Sequence, residues 1–373
     1  MITVVQPALV SGEPYVPGLS RSEVARRFEL APDAVAKLGS AENPFGPSPK
    51  AVLAMAAALA DSSLYPNWTA EALRRKIAER FGLEPNQVVA GSGETELIGL
   101  ILRTYAAPGA AVLMQRPCFP IYHLYAENEG RRPVFADMGP DFAVDTDRYV
   151  AQLQAVRPSI AFVTHPHSPT GQAASEADLR RIAEAAPDTL VVLDEAYVHY
   201  TETEGLLHLV GEYPNLMALR TFSKAYGLAG LRVGFAVGAA DLIRPLWNAK
   251  PTWNIGALQS AGAIAALDDE AHVQRTVQTI VAMRAYVTER LAGLRAFRMV
   301  PNSRANFFLL EVVSPALDST GVFEALLARG VIVKDGSVSF RGLGDRYLRI
   351  DVGLEPDMDR LVSALADIER SQA

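Results

Sequence analysis

The chain has 373 residues, 49% hydrophobic and 21% charged, with a formal net charge of −7. That is ample for a large core and too long for one compact domain, so one larger and one smaller domain are expected. The acidic balance argues against a nucleic-acid or anionic-membrane surface, although a local cationic pocket for a small anion remains compatible with it. The single cysteine, Cys118, excludes an intrachain disulfide and fits a reducing, cytoplasmic setting.

Residues 1 to about 45 read as irregular, broken by Pro7, Pro14, Pro17 and Pro44. No basic region there precedes a long apolar run, so no signal peptide is expected, and no stretch of about 18 apolar residues predicts a membrane span. PSPKAVLAMAAALA predicts a helix with proline near its start. TAEALRRKIAERFGL has the helical apolar period, with Thr69 and Glu71 suited to its N-terminus. QVVAGSGETELIGLILRTYA reads as strand, glycine turn and helix. AAVLMQRP, SIAFVTHP, TLVVLDEA and NLMALRTF are short apolar runs stopped by turn residues, and SEADLRRIAEAA is a helix between two of them. A long helical region follows over roughly 255–295. NFFLLEV, VIVKDG and RYLRIDVG then give an α+β pattern. Strands alternating with helices imply a mostly parallel sheet with helices on both faces. Such sheets bind ligands beyond the carboxyl ends of their strands, where Gly91–Glu96, Phe119, Ser168, Asp194 and Ser223 fall.

Single motifs carry little alone. Asp194, closing VVLD, has the ordinary reading of a helix N-cap beside that of a carboxylate held for a cation. AGSGETE places backbone amides at a helix start, the geometry of a phosphate cradle, yet it is neither GxxxxGK[ST] nor GxGxxG. A tight strand-to-helix turn explains it equally. The histidines of HPHSPTG have no third ligand, so no metal site is expected. Arg232 reads as a surface arginine at a strand start or as a bidentate phosphate ligand. Lys224, in TFSKAYGLAGLRVGF, has no acid within seven positions on either side. An unpaired lysine in such company either snorkels to water or loses its charge.

The order of these motifs is more specific than any of them. A glycine-rich helix start, a PTG loop, Asp194-x-x-Tyr197, Ser223-Lys224, and Arg232 with Gly234 follow one another. This order resembles the fold-type I pyridoxal-phosphate enzymes, and in particular the histidinol-phosphate aminotransferase family. PYVPG, ENPFGPSPKAV, LYP, PCFPIY, NAKPTWNI, ANFFLL, GVIVKD and YLRIDVG extend the likeness over nearly the whole chain.

The resemblance implies an α/β fold of two domains: residues 1–45 as an arm belonging to the small domain, 46–265 as the large cofactor-binding domain, and 266–373 as an interdomain helix and the rest of the small domain. It implies a cytoplasmic homodimer with shared active sites. Its reaction would be a ping-pong transamination between an amino donor and a 2-oxo acid such as 2-oxoglutarate, through an internal aldimine on Lys224. Asp194 would pair with the pyridinium nitrogen, Tyr197 with the phenolic oxygen, and Phe119 with the ring face. Gly93, Glu94, Thr95, Ser223 and Arg232 would hold the phosphate, and Tyr65 would reach it from the partner subunit. Tyr15, Lys334 and Arg349 would bind substrate.

Three positions leave the family's pattern. Ser168 stands where an asparagine usually precedes PTG, Ala41 at the first asparagine of NEN, and Lys334 in place of an arginine. The donor therefore stays open between histidinol phosphate and another amino acid, with a lean towards a changed or broadened one. The same fold also serves decarboxylation of a phosphorylated amino acid. A regulator built on this fold is disfavoured, because the chain is acidic and has no basic DNA-binding module.

Overall fold

The computed structural model describes residues 15–201 and 203–371. Its largest sheet has seven strands, in the order β2-β8-β7-β6-β5-β3-β4: β2 (Val88–Gly91), β3 (Ala111–Arg116), β4 (Arg132–Asp137), β5 (Ile160–Thr164), β6 (Leu190–Asp194), β7 (Leu216–Thr221) and β8 (Gly234–Gly238). Only β8 runs against its neighbours β2 and β7, so the sheet is mostly parallel as expected.

Strand alternation divides the core between two faces. Ala161, Val163, Val191, Leu193, Leu216 and Ala218 pack with Leu73, Leu153 and Leu179 of the helices Glu71–Phe81, Thr146–Val156 and Glu176–Ala185. Ile160, Phe162, Leu190, Val192, Met217 and Leu219 pack on the other face with Ile98, Tyr122 and Leu246 of the helices Glu94–Tyr105, Pro120–Asn128 and Ala240–Ala249. Both faces are covered, so these strands read as continuous apolar runs.

A second core lies around a four-stranded antiparallel sheet, β12-β13-β10-β9, built from β9 (Phe297–Met299), β10 (Phe307–Val312), β12 (Lys334–Asp335) and β13 (Tyr347–Asp351). The helices Glu270–Leu291, Ser319–Leu327 and Glu355–Arg370 pack on it. No helix among the described residues is long and apolar enough to cross a membrane.

Three local expectations change. The segment read as irregular holds a helix, Arg21–Arg27, closed by a capping box between Ser20 and Glu23. It also holds a short strand, β1 (Ala36–Lys37), which pairs in parallel with β11 (Val331–Ile332). Its prolines fall outside those elements, so punctuation hid them. Residues 1–14 lie outside the described residues. The helix from Glu71 is not capped by Thr69: Ala70 is its left-handed N-cap, and the Asn67 side-chain oxygen accepts from the amides of Thr69 and Glu71. The long helical region is two helices, Ala257–Leu267 and Glu270–Leu291, separated at the Asp268–Asp269 pair, whose side chains favour caps over helix interior.

Candidate active site

A cleft of about 260 Å³ opens at the carboxyl ends of β5, β6 and β7, between the two cores. Tyr15, Glu94, Thr95, Phe119, Ser168, Asp194, Tyr197, Ser223, Lys224, Arg232, Lys334 and Arg349 all line it. Gly93 borders it: a Cβ there would sit 2.1 Å from Arg232 Nη2, and its φ is +78°. Of the residues given a cofactor or substrate role from sequence, Tyr65 alone lies elsewhere among the described residues. It is 81% exposed and stacks on Trp253 with ring centroids 4.7 Å apart.

Each position follows from its strand. Asp194 ends β6 and is 3% exposed. Its Oδ1 accepts from the Ala196 amide at 2.9 Å, the local turn contact expected of such an aspartate. Its Oδ2 accepts from the Tyr122 hydroxyl. Ser223 and Lys224 follow β7, where the Thr221 hydroxyl accepts from the Ser223 amide at 3.1 Å. Lys224 Nζ lies 5.3 Å from the Tyr197 ring centroid and donates to the Ser40 carbonyl at 3.3 Å. Burial, reinforced by the nearby Arg349 charge, lowers this amine to about 8. The lysine without acidic sequence neighbours is thus a lysine with a weakened hold on its proton.

Gly93 opens the helix Glu94–Tyr105 with no side-chain cap, leaving amides directed at the cleft. A Cβ on Gly234 would meet the Glu94 amide at 2.8 Å, so β8 approaches this turn closely. Arg232 Nη2 donates to the Thr95 hydroxyl at 3.3 Å. The Glu94 side chain, assigned no part from sequence, also enters the cleft. Burial, then the Asp194 charge, raises its carboxyl well above the usual range.

Lys334 and Arg349 are cross-strand partners in the β12–β13 ladder. Burial and the Arg349 charge lower Lys334 to about 8. Its Nζ stands 5.9 Å from the Tyr15 ring centroid. Arg349 is buried, with its guanidinium 5.0 Å from the Phe307 ring centroid and 5.5 Å from that of Phe340. Ser168 is buried. Neighbouring His167 bonds Thr170 through Nδ1 at 2.9 Å. Among the described residues no group of three or more His, Cys, Asp or Glu is placed to hold a metal.

Sequence reading passed over Tyr122 and Asp351. Tyr122 follows Phe119 by one helical turn, so the i, i+3 spacing would have put both on one face. Asp351 follows Arg349 by two on a strand, the spacing that shares a face.

The cleft suits pyridoxal phosphate. It has a glycine-flanked amide cradle with an arginine beside it, a buried carboxylate, an amine of lowered pKa, and a buried Ser168 hydroxyl without a hydrogen-bond partner among the described residues. The chain matches the aminotransferase class I and II family over residues 33–365. It is 39% identical over 370 residues to a histidinol-phosphate aminotransferase of Anaeromyxobacter sp. (strain Fw109-5), covering 98% of this chain and 99% of that protein. Identity to a histidinol-phosphate aminotransferase of Symbiobacterium thermophilum is 38%, with 97% of each chain covered. The fold is similar to the crystal structure of histidinol-phosphate aminotransferase from Sinorhizobium meliloti in complex with pyridoxal-5'-phosphate, with a TM-score of 0.89, 25% identity, and 100% and 99% of the chains covered.

Proposed function

The chain belongs to the class I and II aminotransferases and is a pyridoxal-phosphate-dependent enzyme; from that premise we propose that it moves the amino group of histidinol phosphate to 2-oxoglutarate by a ping-pong mechanism. The observation that carries the donor is the Lys334–Arg349 pair, two cations side by side on β12 and β13 at the cleft. A phosphate dianion arriving there would restore full protonation to Lys334, whose proton is held weakly without it. The near full-length likeness to histidinol-phosphate aminotransferases supports the same donor.

The cofactor, when bound, supplies an electron sink for charge developing at the substrate's α-carbon. Lys224 would hold it covalently through Nζ. Asp194 would face its pyridine nitrogen, Tyr197 and Ser168 its phenolic oxygen, and Phe119 its ring. The amides of Gly93 and Glu94, with Thr95, Ser223 and Arg232, would take its phosphate. With its amine free, Lys224 would serve as the base that takes the α-carbon proton. Arg349, Lys334 and Tyr15 would orient the substrate's anionic end. The same reading takes residues 46–265 as the cofactor-binding domain and 266–373 with 1–45 as the smaller one; pairing of Ala36–Lys37 with β11 supports joining the two ends.

Lys334→Arg tests the donor. Arginine keeps the charge and adds a fork that suits phosphate. With histidinol phosphate and 2-oxoglutarate, the variant should turn over within about threefold of the unmodified enzyme, or faster, since the change adds at most one charge-assisted hydrogen bond. Absence of glutamate from histidinol phosphate, with turnover of an aromatic or basic amino acid instead, would overturn this donor.

The enzyme would act as a homodimer whose Tyr65 reaches the phosphate of the partner's site. Leu53, Leu64, Tyr65, Trp68 and Trp253 are exposed on this chain, and apolar surface of that extent commonly marks an interface. Tyr65→Phe should weaken cofactor retention about tenfold, the worth of one hydrogen bond to a charged group, with the circular dichroism unchanged. A fully active monomer in the ultracentrifuge would contradict the shared site.

A further inference from the structure

We propose that Asp351 is a positioning residue that ties Arg349 to the turn at Ala41, so that the substrate-side guanidinium and the Ser40 carbonyl are set together. The proposal rests on the reading of Arg349 as the group that binds the substrate's anionic end.

Asp351 is 4% exposed and sits on the same face of β13 as Arg349. Its Oδ2 accepts from the Ala41 amide. Its Oδ1 lies 3.2 Å from Arg349 Nη2, a charge contact rather than an aligned hydrogen bond, since Oδ1 has no hydrogen-bond partner among the described residues; the same nitrogen donates to the Gly39 carbonyl at 3.0 Å. Carboxylate, guanidinium and turn thus close a ring through Gly39, Ser40 and Ala41. The Ser40 carbonyl, within that ring, is the acceptor for Lys224 Nζ.

Ala41 has φ +52°, a left-handed conformation that disfavours a residue with a Cβ. Asparagine and aspartate tolerate it because a short polar side chain bonds locally. Alanine has none. The Asp351 carboxylate, reaching in from β13, supplies the missing hydrogen bond, and Asn306 Nδ2 holds the Ala41 carbonyl at 3.1 Å. A carboxylate next to an anion-binding arginine weakens that arginine's pull on an anion. Its presence here is accounted for by geometry, since it stops the guanidinium from swinging, and Arg349 Nε is left without a hydrogen-bond partner among the described residues.

Two measurements test this. In the cofactor-free protein, amide hydrogen exchange at Ala41 should quicken at least about tenfold in Asp351→Ala and less in Asp351→Asn, as expected for one charge-assisted bond lost or weakened. In the loaded enzyme, Asp351→Asn should raise the KM for 2-oxoglutarate about tenfold, with kcat changed far less. Ala41→Gly, added to Asp351→Asn, should recover part of that loss by relieving the left-handed alanine. Should Asp351→Ala not fold, Asp351→Asn carries both measurements. Unchanged exchange at Ala41 with KM within twofold, or a fall in kcat at constant KM, overturns the proposal. Arg349→Lys is measured beside them: an unchanged KM there removes the reading of Arg349, and the exchange result alone then decides whether Asp351 holds the turn.

Discussion

Lys224→Ala is expected to leave a folded protein whose transamination is slower by roughly 10²–10⁴-fold, the usual worth of a positioned acid–base group. The physical ground is the environment of Nζ. It sits beside the Tyr197 ring, and its one hydrogen-bond acceptor among the described residues is a backbone carbonyl. Burial and Arg349 lower it to about 8 against the opposing pull of Asp351, Glu94 and Glu42. An amine with a depressed pKa is charged below that value and neutral above it. Capture of pyridoxal phosphate by cofactor-free protein needs the neutral amine, so its rate should climb as pH rises through about 8 and then level off. An ordinary lysine would level off only above roughly 10.4. Borohydride reduction followed by peptide mapping should find the cofactor on the peptide carrying Lys224. A plateau reached only near the ordinary value, or label on another lysine, would sink the assignment.

Asp194→Asn should be the next most damaging change, lowering kcat by roughly 10²–10³-fold, as removal of one preorganised electrostatic contact does at other active sites. Asparagine matches the shape and keeps one oxygen for the Ala196 amide, while its NH2 takes the place of the other oxygen and can donate to the Tyr122 hydroxyl, so the fold should survive. It lacks the negative charge that would keep the cofactor's ring nitrogen protonated and the electron sink deep. Tyr122 is fully buried, stacked on Phe162 at 4.5 Å, and burial raises its phenol further. It therefore donates as a neutral hydroxyl and holds the carboxylate in one orientation. Steady-state kinetics and cofactor dissociation constants decide the matter. Unimpaired turnover by the asparagine variant would show that no charge is required there.

Much of the large sheet was legible in the chain because its strands are covered on both faces. Burial on both sides demands unbroken apolar runs, and turn residues must follow where each strand meets the cleft. SIAFVT, TLVVLD and NLMALRT meet that demand, and so the chain alone places Asp194, Ser168 and Ser223 at strand ends. The early segment was not legible. Its strand is two residues long and pairs with β11, almost 300 positions away, a contact with no local periodicity to announce it. The single stretch VIVKDG likewise divides between β11 and β12, which belong to different sheets.

The sequence by itself determined the mostly parallel α/β sheet, the family, the cofactor and the lysine isolated from acids. These depend on local patterning and on the order of short motifs, both of which are written along the chain. Tertiary structure alone decided what surrounds that lysine. Asp194 and Tyr122 meet from β6 and the helix Pro120–Asn128, Ser40 reaches Lys224 from 184 positions away, and Asp351 meets Ala41 from 310. A pKa depends on what is near in space, and burial, charge and hydrogen bonding act without regard to separation in sequence. The chain could therefore nominate Lys224, but only folding set the value at which it gives up its proton.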